Sequence, residues 1–221
     1  MEKHREHFNR QKVRIINTVS FLIGFAQAAT IYVFSSYFTQ ALGIANNNDE
    51  NELFYVGIFY ALAYFIIILV LLNLHKLVRL MGKVRVFILA ILVKILFNIA
   101  LLGVEPSYWS IVLLIGYIIS TGTEWVSLDS ILESCSADKL SGRIRGAYLT
   151  IINAGFLIGP RISTWLLEHL GFEGVFIFAF LLNMIILAFS LLWLREVKEK
   201  ICQRLKILQI IQKILKQKDL V

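Results

Sequence analysis

Apolar and polar residues alternate along the chain in long blocks rather than in short periodic patterns. Six apolar blocks, separated by short polar breaks, lie at about 14–42, 53–74, 84–104, 108–130, 144–168 and 172–195. A helix that crosses the hydrocarbon core of a bilayer needs about 20 mostly apolar residues, and every block is long enough. The sequence therefore predicts an all-α, polytopic membrane protein whose residues 1–196 form a bundle of six transmembrane helices.

Residues 197–221 follow a different pattern. Their apolar side chains recur at helical spacing, opposite a series of lysines and arginines, at Val197, Ile201, Leu205, Leu208, Ile211 and Leu215. The segment is too charged to span a membrane, so we expect a basic amphipathic helix along the cytoplasmic headgroups. The alternative is that this helix packs on the inner face of the bundle itself.

The composition is that of a membrane protein. Hydrophobic residues make up 58% of the chain and charged residues 17%, against roughly 45–50% and about 25% in soluble domains. The mean hydropathy is +0.73. The two cysteines, Cys135 and Cys202, lie far apart and lack the spacing of a disulfide framework or a zinc site. We therefore expect the lipid bilayer as the surrounding medium and neither a metal nor another cofactor.

Lysine and arginine are confined to alternate breaks between the blocks. They precede the first block, lie between the second and third and between the fourth and fifth, and follow the sixth. The stretches IANNNDENE, VEPS and EHLGFE contain neither. The positive-inside rule then places both termini in the cytoplasm. The short loops and the lack of an N-x-[ST] glycosylation motif suit an inner or plasma membrane. Because the net charge of +7 is divided among loops, we expect no nucleic-acid partner.

A weak internal similarity relates the third block to the sixth. GKVRVFILA at 82–90 and GFEGVFIFA at 171–179 share a glycine, a Val-Phe-Ile run and an alanine at matching positions. An odd number of spans separates the two copies, so the second would run in the opposite direction through the membrane. This similarity predicts two inverted three-helix repeats, an arrangement found in many transporters.

Two short motifs indicate a known family. The break between the second and third blocks reads HKLVRLMGKVR, and the fifth block contains Gly155-x-x-x-Gly159-Pro160. Together with six spans and two cytoplasmic termini, these motifs resemble the amino-terminal half of a major facilitator superfamily transporter. The resemblance covers essentially the whole chain.

The loop motif of this family matches the chain in part. Leu77, Gly82 and Lys83 stand where the family pattern has them, while Arg79 occupies the position of an aspartate and His75 that of the first glycine. Similarly, Glu133 at the end of the fourth block and the pair Arg145-Gly146 resemble the family's junction between spans four and five. The family pattern after Pro160 ends in two glycines, where this chain has Ser163 and Thr164.

The resemblance implies a secondary carrier that moves a small solute by alternating access, in which two bundles rock about a central site. The pattern in span five is associated with proton-coupled antiporters, which implies proton-coupled efflux. Six spans supply one bundle, so we expect a half-transporter that pairs with a second six-helix half, either another copy or a separate chain, or else a truncated carrier.

The small residues of span five have two interpretations. In lipid, glycines allow helix backbones to approach closely, and neighbouring helices satisfy backbone groups that a proline frees. Gly155, Gly159 and Pro160 would then offer a groove to a helix of the second half. The alternative is that they pack within the six-helix unit.

Charged side chains inside the spans are the strongest candidates for function. Lys94 of span three and Glu124 of span four differ in depth by roughly one turn, so they are expected to form a buried ion pair. Glu124 also has an alternative role in binding substrate or a coupling proton, and Lys94 could instead extend towards the interface. The resemblance implies that spans one and four line the solute path. The candidate path residues are Gln27, Thr30, Ser120, Glu124 and Asn153.

Charged residues at the cytoplasmic ends form a candidate gate. Asp129 and Glu133 lie four residues apart at the end of span four, and they could reach basic residues of either inner loop. The proposed gate comprises Arg79, Gly82, Lys83, Arg85, Asp129, Glu133, Arg143 and Arg145. The alternative is a solvated cluster of surface charges that contributes little.

Two other function classes compete with a carrier. An intramembrane enzyme is disfavoured because all four histidines lie outside or at the ends of the spans and no G-x-S-x-G motif occurs. We therefore expect no enzymatic activity. A membrane scaffold or accessory subunit that transports nothing would share the composition and the spans, but its polar residues would be packed rather than hydrated.

Overall fold

The computed structural model describes residues 10–43, 52–135 and 141–194. This part of the chain is helical, and its helices are α1 (Arg10–Ala41), α2 (Glu52–Met81), α3 (Lys83–Leu102), α4 (Tyr108–Cys135) and α5 (Ser141–Phe189), followed by a short π-helix at Ser190–Leu194. Five helical segments, the last at Gly142–Leu194, are long and apolar enough to cross a membrane. The protein is thus an all-helical, multi-pass membrane protein. The expected helix at 197–221, most of the stretch IANNNDENE and the terminal basic residues lie outside the described ranges.

Helix α5 is broken at Gly171, whose φ of 64° and ψ of −162° are not helical. The arm before the break runs parallel to α1, because Gly155 lies against Phe21 and Gly159 lies against Ala28. The arm after the break runs antiparallel to α1, since the ring of Phe178 contacts Phe25 and that of Phe172 contacts Tyr37. The chain therefore reverses direction at Gly171, where the left-handed φ favours a residue without a Cβ atom.

Helices α2 and α3 are joined by Gly82 alone, which has a φ of 90°. The second apolar block was predicted to end near residue 74, but α2 continues to Met81. Leu77, Leu80 and Met81 favour a helix, and no glycine or proline interrupts it before Gly82. Arg79, predicted within a loop, consequently lies on the last turn of α2.

The core consists of two main apolar clusters along the bundle. One lies at the end of the bundle where α1 and α3 begin and α4 ends, and it includes Ile16, Phe87 and Leu128. The other lies towards the opposite end and includes Tyr37 and Leu114. The buried charges described below lie near the boundary of these clusters, at Lys94, next to Ile95 of the first cluster, and at Glu124, between Ile118 of the second and Leu128 of the first. Helix α2 is the most peripheral helix, with only 17% of its most apolar window buried against 56% for α1.

Candidate functional site

A buried ion pair lies at the centre of the bundle. Lys94 Nζ of α3 donates to Glu124 Oε2 of α4 at 2.8 Å, and both side chains are fully buried. Lys94 Nζ also lies 5.4 Å from the centre of the Tyr117 ring, where a cation–π contact stabilises the ammonium. Two charges in a medium of low dielectric compensate each other's lost hydration only when they are in contact. The pair therefore holds α3 and α4 in one register.

The carboxylate of Glu124 retains unused acceptor capacity. Its second oxygen, Oε1, is buried and has no hydrogen-bond partner within the part of the chain that the structure describes. The same is true of the hydroxyls of Tyr117 and Ser127 on the same helix. A buried polar atom without a partner is costly, and such atoms are found where a site receives a water, an ion or a ligand.

One turn after Lys94, Asn98 links α3 to the second arm of α5. With its amide oriented to satisfy both atoms, the side chain donates to the Phe176 carbonyl and accepts from the Phe180 amide, both at 3.1 Å. Asn98 is fully buried. The polar residues of α3 therefore fix this helix against α4 on one side and against α5 on the other.

A cavity of about 250 Å³ lies between α1, α2 and α4. Polar side chains contribute to its wall from α1 and α4, through Gln27, Thr30 and Thr121. Aromatic side chains form a large part of the rest, from Phe34, Tyr60, Tyr64, Tyr117 and Trp125. The cavity is concave, mainly apolar and provided with a few polar groups, which are the common properties of small-molecule sites.

Three polar atoms of the residues lining this cavity, in Gln27, Trp125 and Tyr117, lack partners among the described residues. Gln27 Oε1, an acceptor, and Trp125 Nε1, a donor, are both buried and make no hydrogen bond to the described residues. The hydroxyls of Thr30 and Thr121 instead donate to carbonyl groups of their own helices, with distances of 3.1 Å to Ala26 and 3.0 Å to Tyr117. The free hydrogen-bonding capacity of the cavity thus resides in Gln27 and Trp125, together with the Tyr117 hydroxyl.

The tyrosines of α2 connect this helix to α1. The Tyr60 hydroxyl donates to the Ile31 carbonyl at 2.8 Å and lies 3.2 Å from the Ser35 hydroxyl. Tyr64, one turn later, lines the cavity. Sequence reasoning missed both tyrosines and Trp125, although the spacing of four residues between Tyr60 and Tyr64 is a signal for a shared helix face.

The predicted path residues do not all meet at this cavity. Gln27 and Thr30 line it, whereas Ser120 and Glu124 are buried on α4 but are not among the lining residues. Asn153 lies on the exposed face of α5 and donates to the Leu149 carbonyl of its own helix at 2.8 Å. The structure therefore brings the α1 candidates to the cavity and leaves Asn153 apart from it.

The predicted cytoplasmic gate forms one ion pair among the described residues. Arg145 donates to Asp129 Oδ2 at 2.7 Å, and both side chains are well exposed. Lys83 does not reach Asp129 or Glu133, because its Nζ donates to the Ser134 hydroxyl at 2.7 Å and to the Ser130 carbonyl at 3.0 Å. Glycine at position 82 allows α3 to begin directly beside the end of α4. The other charged candidates, Arg79, Arg85, Glu133 and Arg143, are exposed.

The small residues of α5 pack within the bundle. A Cβ atom at Gly155 would lie 2.6 Å from the Phe21 carbonyl oxygen and from the Phe25 amide nitrogen, so the backbones of α1 and α5 are in direct contact. Gly159 is similarly enclosed by Ala28. The carbonyl of Pro160 accepts the hydroxyls of Ser163 and Thr164. Of the two interpretations of this motif, the structure shows the internal one, because α1 already fills the groove.

The chain matches a family sequence model. The family described as Major Facilitator Superfamily matches residues 16–218, which is most of the chain. A comparison with curated proteins gives no match. The matched range includes every described helix from the second turn of α1 onward, and hence the cavity and the ion pair.

Proposed function

The chain belongs to the major facilitator superfamily, and from this premise we propose that it is one bundle of a secondary carrier that moves a small solute by alternating access. Membership of the superfamily, predicted from the sequence motifs, is confirmed. Members of this family are transporters rather than enzymes, in agreement with the expectation of a chain without enzymatic activity.

The observation that carries the proposal is the cavity between α1, α2 and α4. It lies beside the middle of three apolar helices, and the residues that line it include Gln27 and Trp125, each with a buried polar atom that has no partner in the described part of the chain. Its wall is adjacent to the buried pair of Lys94 and Glu124 through Tyr117, which lines the cavity and lies under the ammonium. A site with these properties near the bilayer midplane is where secondary carriers bind their solutes.

We infer six membrane passages in two inverted three-helix repeats, with both termini in the cytoplasm. The reversal of the chain at Gly171 supports a separate fifth and sixth passage. A continuous helix of the 53 residues at Gly142–Leu194 would be about 80 Å long at 1.5 Å per residue, more than twice the thickness of a hydrocarbon core. The confinement of lysine and arginine to alternate breaks supports the orientation in an inner or plasma membrane.

A second six-helix bundle completes the carrier in this proposal, supplied by a second copy or by a separate chain. Its support is the polar character of one exposed face of α5. Thr150, Asn153 and Arg161 are exposed there, within an apolar helix. Polar side chains at membrane depth face a protein or a water-filled path rather than lipid. Gly155 and Gly159 contribute nothing to this contact, since they pack on α1.

Proton coupling would act through Glu124. Protonation of this carboxyl removes the charge that compensates Lys94, so the two helices would lose the attraction that fixes their register. The unpartnered Oε1 of Glu124 supports this role, because it leaves one carboxylate oxygen free to receive a proton. Efflux in exchange for protons is the proposed direction, as the family pattern of span five implies.

The competing function is a membrane scaffold or accessory subunit. The observation in its favour is that Thr30 and Thr121 direct their hydroxyls to their own helices, as expected of packed rather than hydrated residues. Solvent access to the cavity distinguishes the two functions.

The test combines accessibility with flux. In a background with Cys135→Ser and Cys202→Ser, Gln27→Cys and Thr30→Cys should react with a membrane-impermeant thiol reagent, while Leu62→Cys on the exposed apolar face of α2 should not. In proteoliposomes, the flux of a panel of labelled solutes is measured with and without a pH gradient. We expect at least one solute whose flux depends on the gradient, and this flux should be lost in Glu124→Gln. Unreactive cysteines at both positions together with no flux would favour the scaffold.

A further inference from the structure

The cavity between α1, α2 and α4 has a chemical character that restricts what it can bind. None of the residues that line it in the described part of the chain carries a charge. The charged groups of the neighbouring ion pair, Lys94 and Glu124, neutralise each other at 2.8 Å and are not lining residues. A charged solute would therefore lose its hydration without gaining a partner of opposite charge.

The walls favour a planar ring. Phe34, Tyr60, Tyr64, Tyr117 and Trp125 supply aromatic surface from three helices. Such side chains bind flat apolar groups through offset-stacked and edge-to-face contacts. The volume of about 250 Å³ is below the roughly 300–1,000 Å³ of sites for drug-sized ligands. The size therefore suits a solute with a single ring.

The unpartnered polar atoms specify complementary groups on the solute. Gln27 Oε1 requires a donor and Trp125 Nε1–H requires an acceptor, and both atoms are buried. A site with buried polar groups selects ligands that satisfy them, because a ligand without the matching group leaves those atoms unpaired.

Resting on the carrier function proposed above, we propose that this cavity binds an uncharged, single-ring aromatic solute with at least one hydrogen-bond donor and one acceptor, recognised by Gln27 and Trp125. The rival ligand is an organic cation, since aromatic rings attract cations. The compensating carboxylate that such a cation would need is already bound to Lys94, so the neutral solute is favoured.

Three fluorinated probes of similar size separate these ligands. The purified full chain in lipid nanodiscs is titrated with 4-fluorobenzamide, 4-fluorobenzoate and 4-fluorobenzyl-trimethylammonium, and ligand-observed fluorine NMR measures each Kd against empty nanodiscs. We expect the amide to bind at least tenfold more tightly than either ion. Equal affinities, tighter binding of the cation, or no binding beyond that of empty nanodiscs would each overturn the proposal.

Two pairs of variants locate the binding. Trp125→Phe keeps an aromatic ring but removes the N–H donor, and Gln27→Leu removes the acceptor at similar size. Each should weaken binding of the amide about three- to tenfold, the contribution of one hydrogen bond. The matched controls, Trp109→Phe and Gln40→Leu, alter exposed residues outside the cavity and should leave the Kd unchanged. If the variants and their controls changed the Kd of the amide equally, the assignment of Gln27 and Trp125 as the recognising residues would be contradicted.

The two proposals fail separately. Binding of the amide with no solute flux in proteoliposomes, whether the chain is reconstituted alone or with a copurified second half, would contradict the carrier function and leave the ligand assignment standing. Gradient-dependent flux of an ionic solute, with no preference for the amide, would contradict the ligand assignment and support the carrier.

Discussion

Lys94 and Glu124 meet at 2.8 Å between neighbouring helices, and neither side chain is exposed to solvent. Each charge is tolerated in the bundle because the other is present. Asn98 extends this polar connection to α5, so that a single helix, α3, carries polar contacts to two neighbours. The centre of the bundle is thus held by directional interactions, while the two ends are held by apolar packing.

Removing one partner of this pair should destabilise the protein far more than removing both. Lys94→Met or Glu124→Leu leaves an unpaired buried charge, which costs about 3–5 kcal/mol, whereas the double variant should recover most of that loss. Thermal unfolding of the detergent-solubilised protein measures the stability of the three variants relative to the wild type. A double variant that is no more stable than the less stable of the two single variants would show that the two residues are not energetically coupled.

The pair of Arg145 and Asp129 should behave differently because it is exposed. An ion pair in contact with water contributes about 0–1 kcal/mol and is screened by salt. We expect Asp129→Asn to lower the midpoint of unfolding only slightly at low salt and to have no effect at high salt. A loss comparable to that of Glu124→Leu, or one independent of salt, would mean that this pair is shielded in the protein.

The contact between Gly155 and α1 predicts a strong dependence on side-chain size. Gly155→Ala places a Cβ atom 2.6 Å from backbone atoms of Phe21 and Phe25, and backbone cannot rotate away as a side chain can. The expected loss is about 1–3 kcal/mol, the usual effect of overpacking.

Gly146→Ala is the matched control for this substitution, since nothing lies within 4 Å of the added atom. Alanine is the better helix former by about 1 kcal/mol, so this variant should be as stable as the wild type or more so. Equal unfolding midpoints for the two variants would contradict the close approach of α1 and α5.

The sequence was sufficient for the membrane class, the family and the principal polar contact. The expectation that Lys94 and Glu124 meet follows from depth, because these residues of adjacent spans differ in depth by only about one turn, which their long side chains can bridge. Depth could not reveal that Lys83 would reach a serine rather than an acid. That choice depends on the rotation of α3 about its axis, which is set by packing.

The cavity was harder to predict for the same reason. Gln27 and Thr30 were recognised because a polar residue in an apolar span is conspicuous. Tyr60, Tyr64 and Trp125 have amphipathic side chains that suit lipid interfaces, cores and binding sites equally. Likewise, the motif of Gly155 and Gly159 predicts a close helix contact but does not identify the helix. Only the packed structure shows that α1 is the partner.

The reversal at Gly171 predicts which side of the membrane each turn of the chain faces. The first arm of α5 runs parallel to α1 and the second antiparallel, so Glu173, just after the turn, must lie on the side opposite Arg143, near the start of α5. The same argument places Glu105, between α3 and α4, on the side of Glu173. One membrane passage, α3, leads from the side of the basic residues to Glu105, and one, the first arm of α5, leads from that side to Glu173. All three residues are exposed, so their replacement by cysteine should not disturb the fold.

In the background without native cysteines, Glu105→Cys and Glu173→Cys should react with a membrane-impermeant maleimide on intact cells. Arg143→Cys and Arg79→Cys should react only after permeabilisation, since the positive-inside rule assigns these basic positions to the cytoplasm. The four positions form two pairs, one for each side of the membrane: Glu105 with Glu173, and Arg79 with Arg143. In each pair one residue lies on α5 and the other does not, so the two halves of the bundle give independent measurements of the same side. Labelling of Glu173→Cys only after permeabilisation would mean that α5 does not reverse across the membrane at Gly171. The six-passage arrangement, and with it the carrier built from two such bundles, would then have to be abandoned.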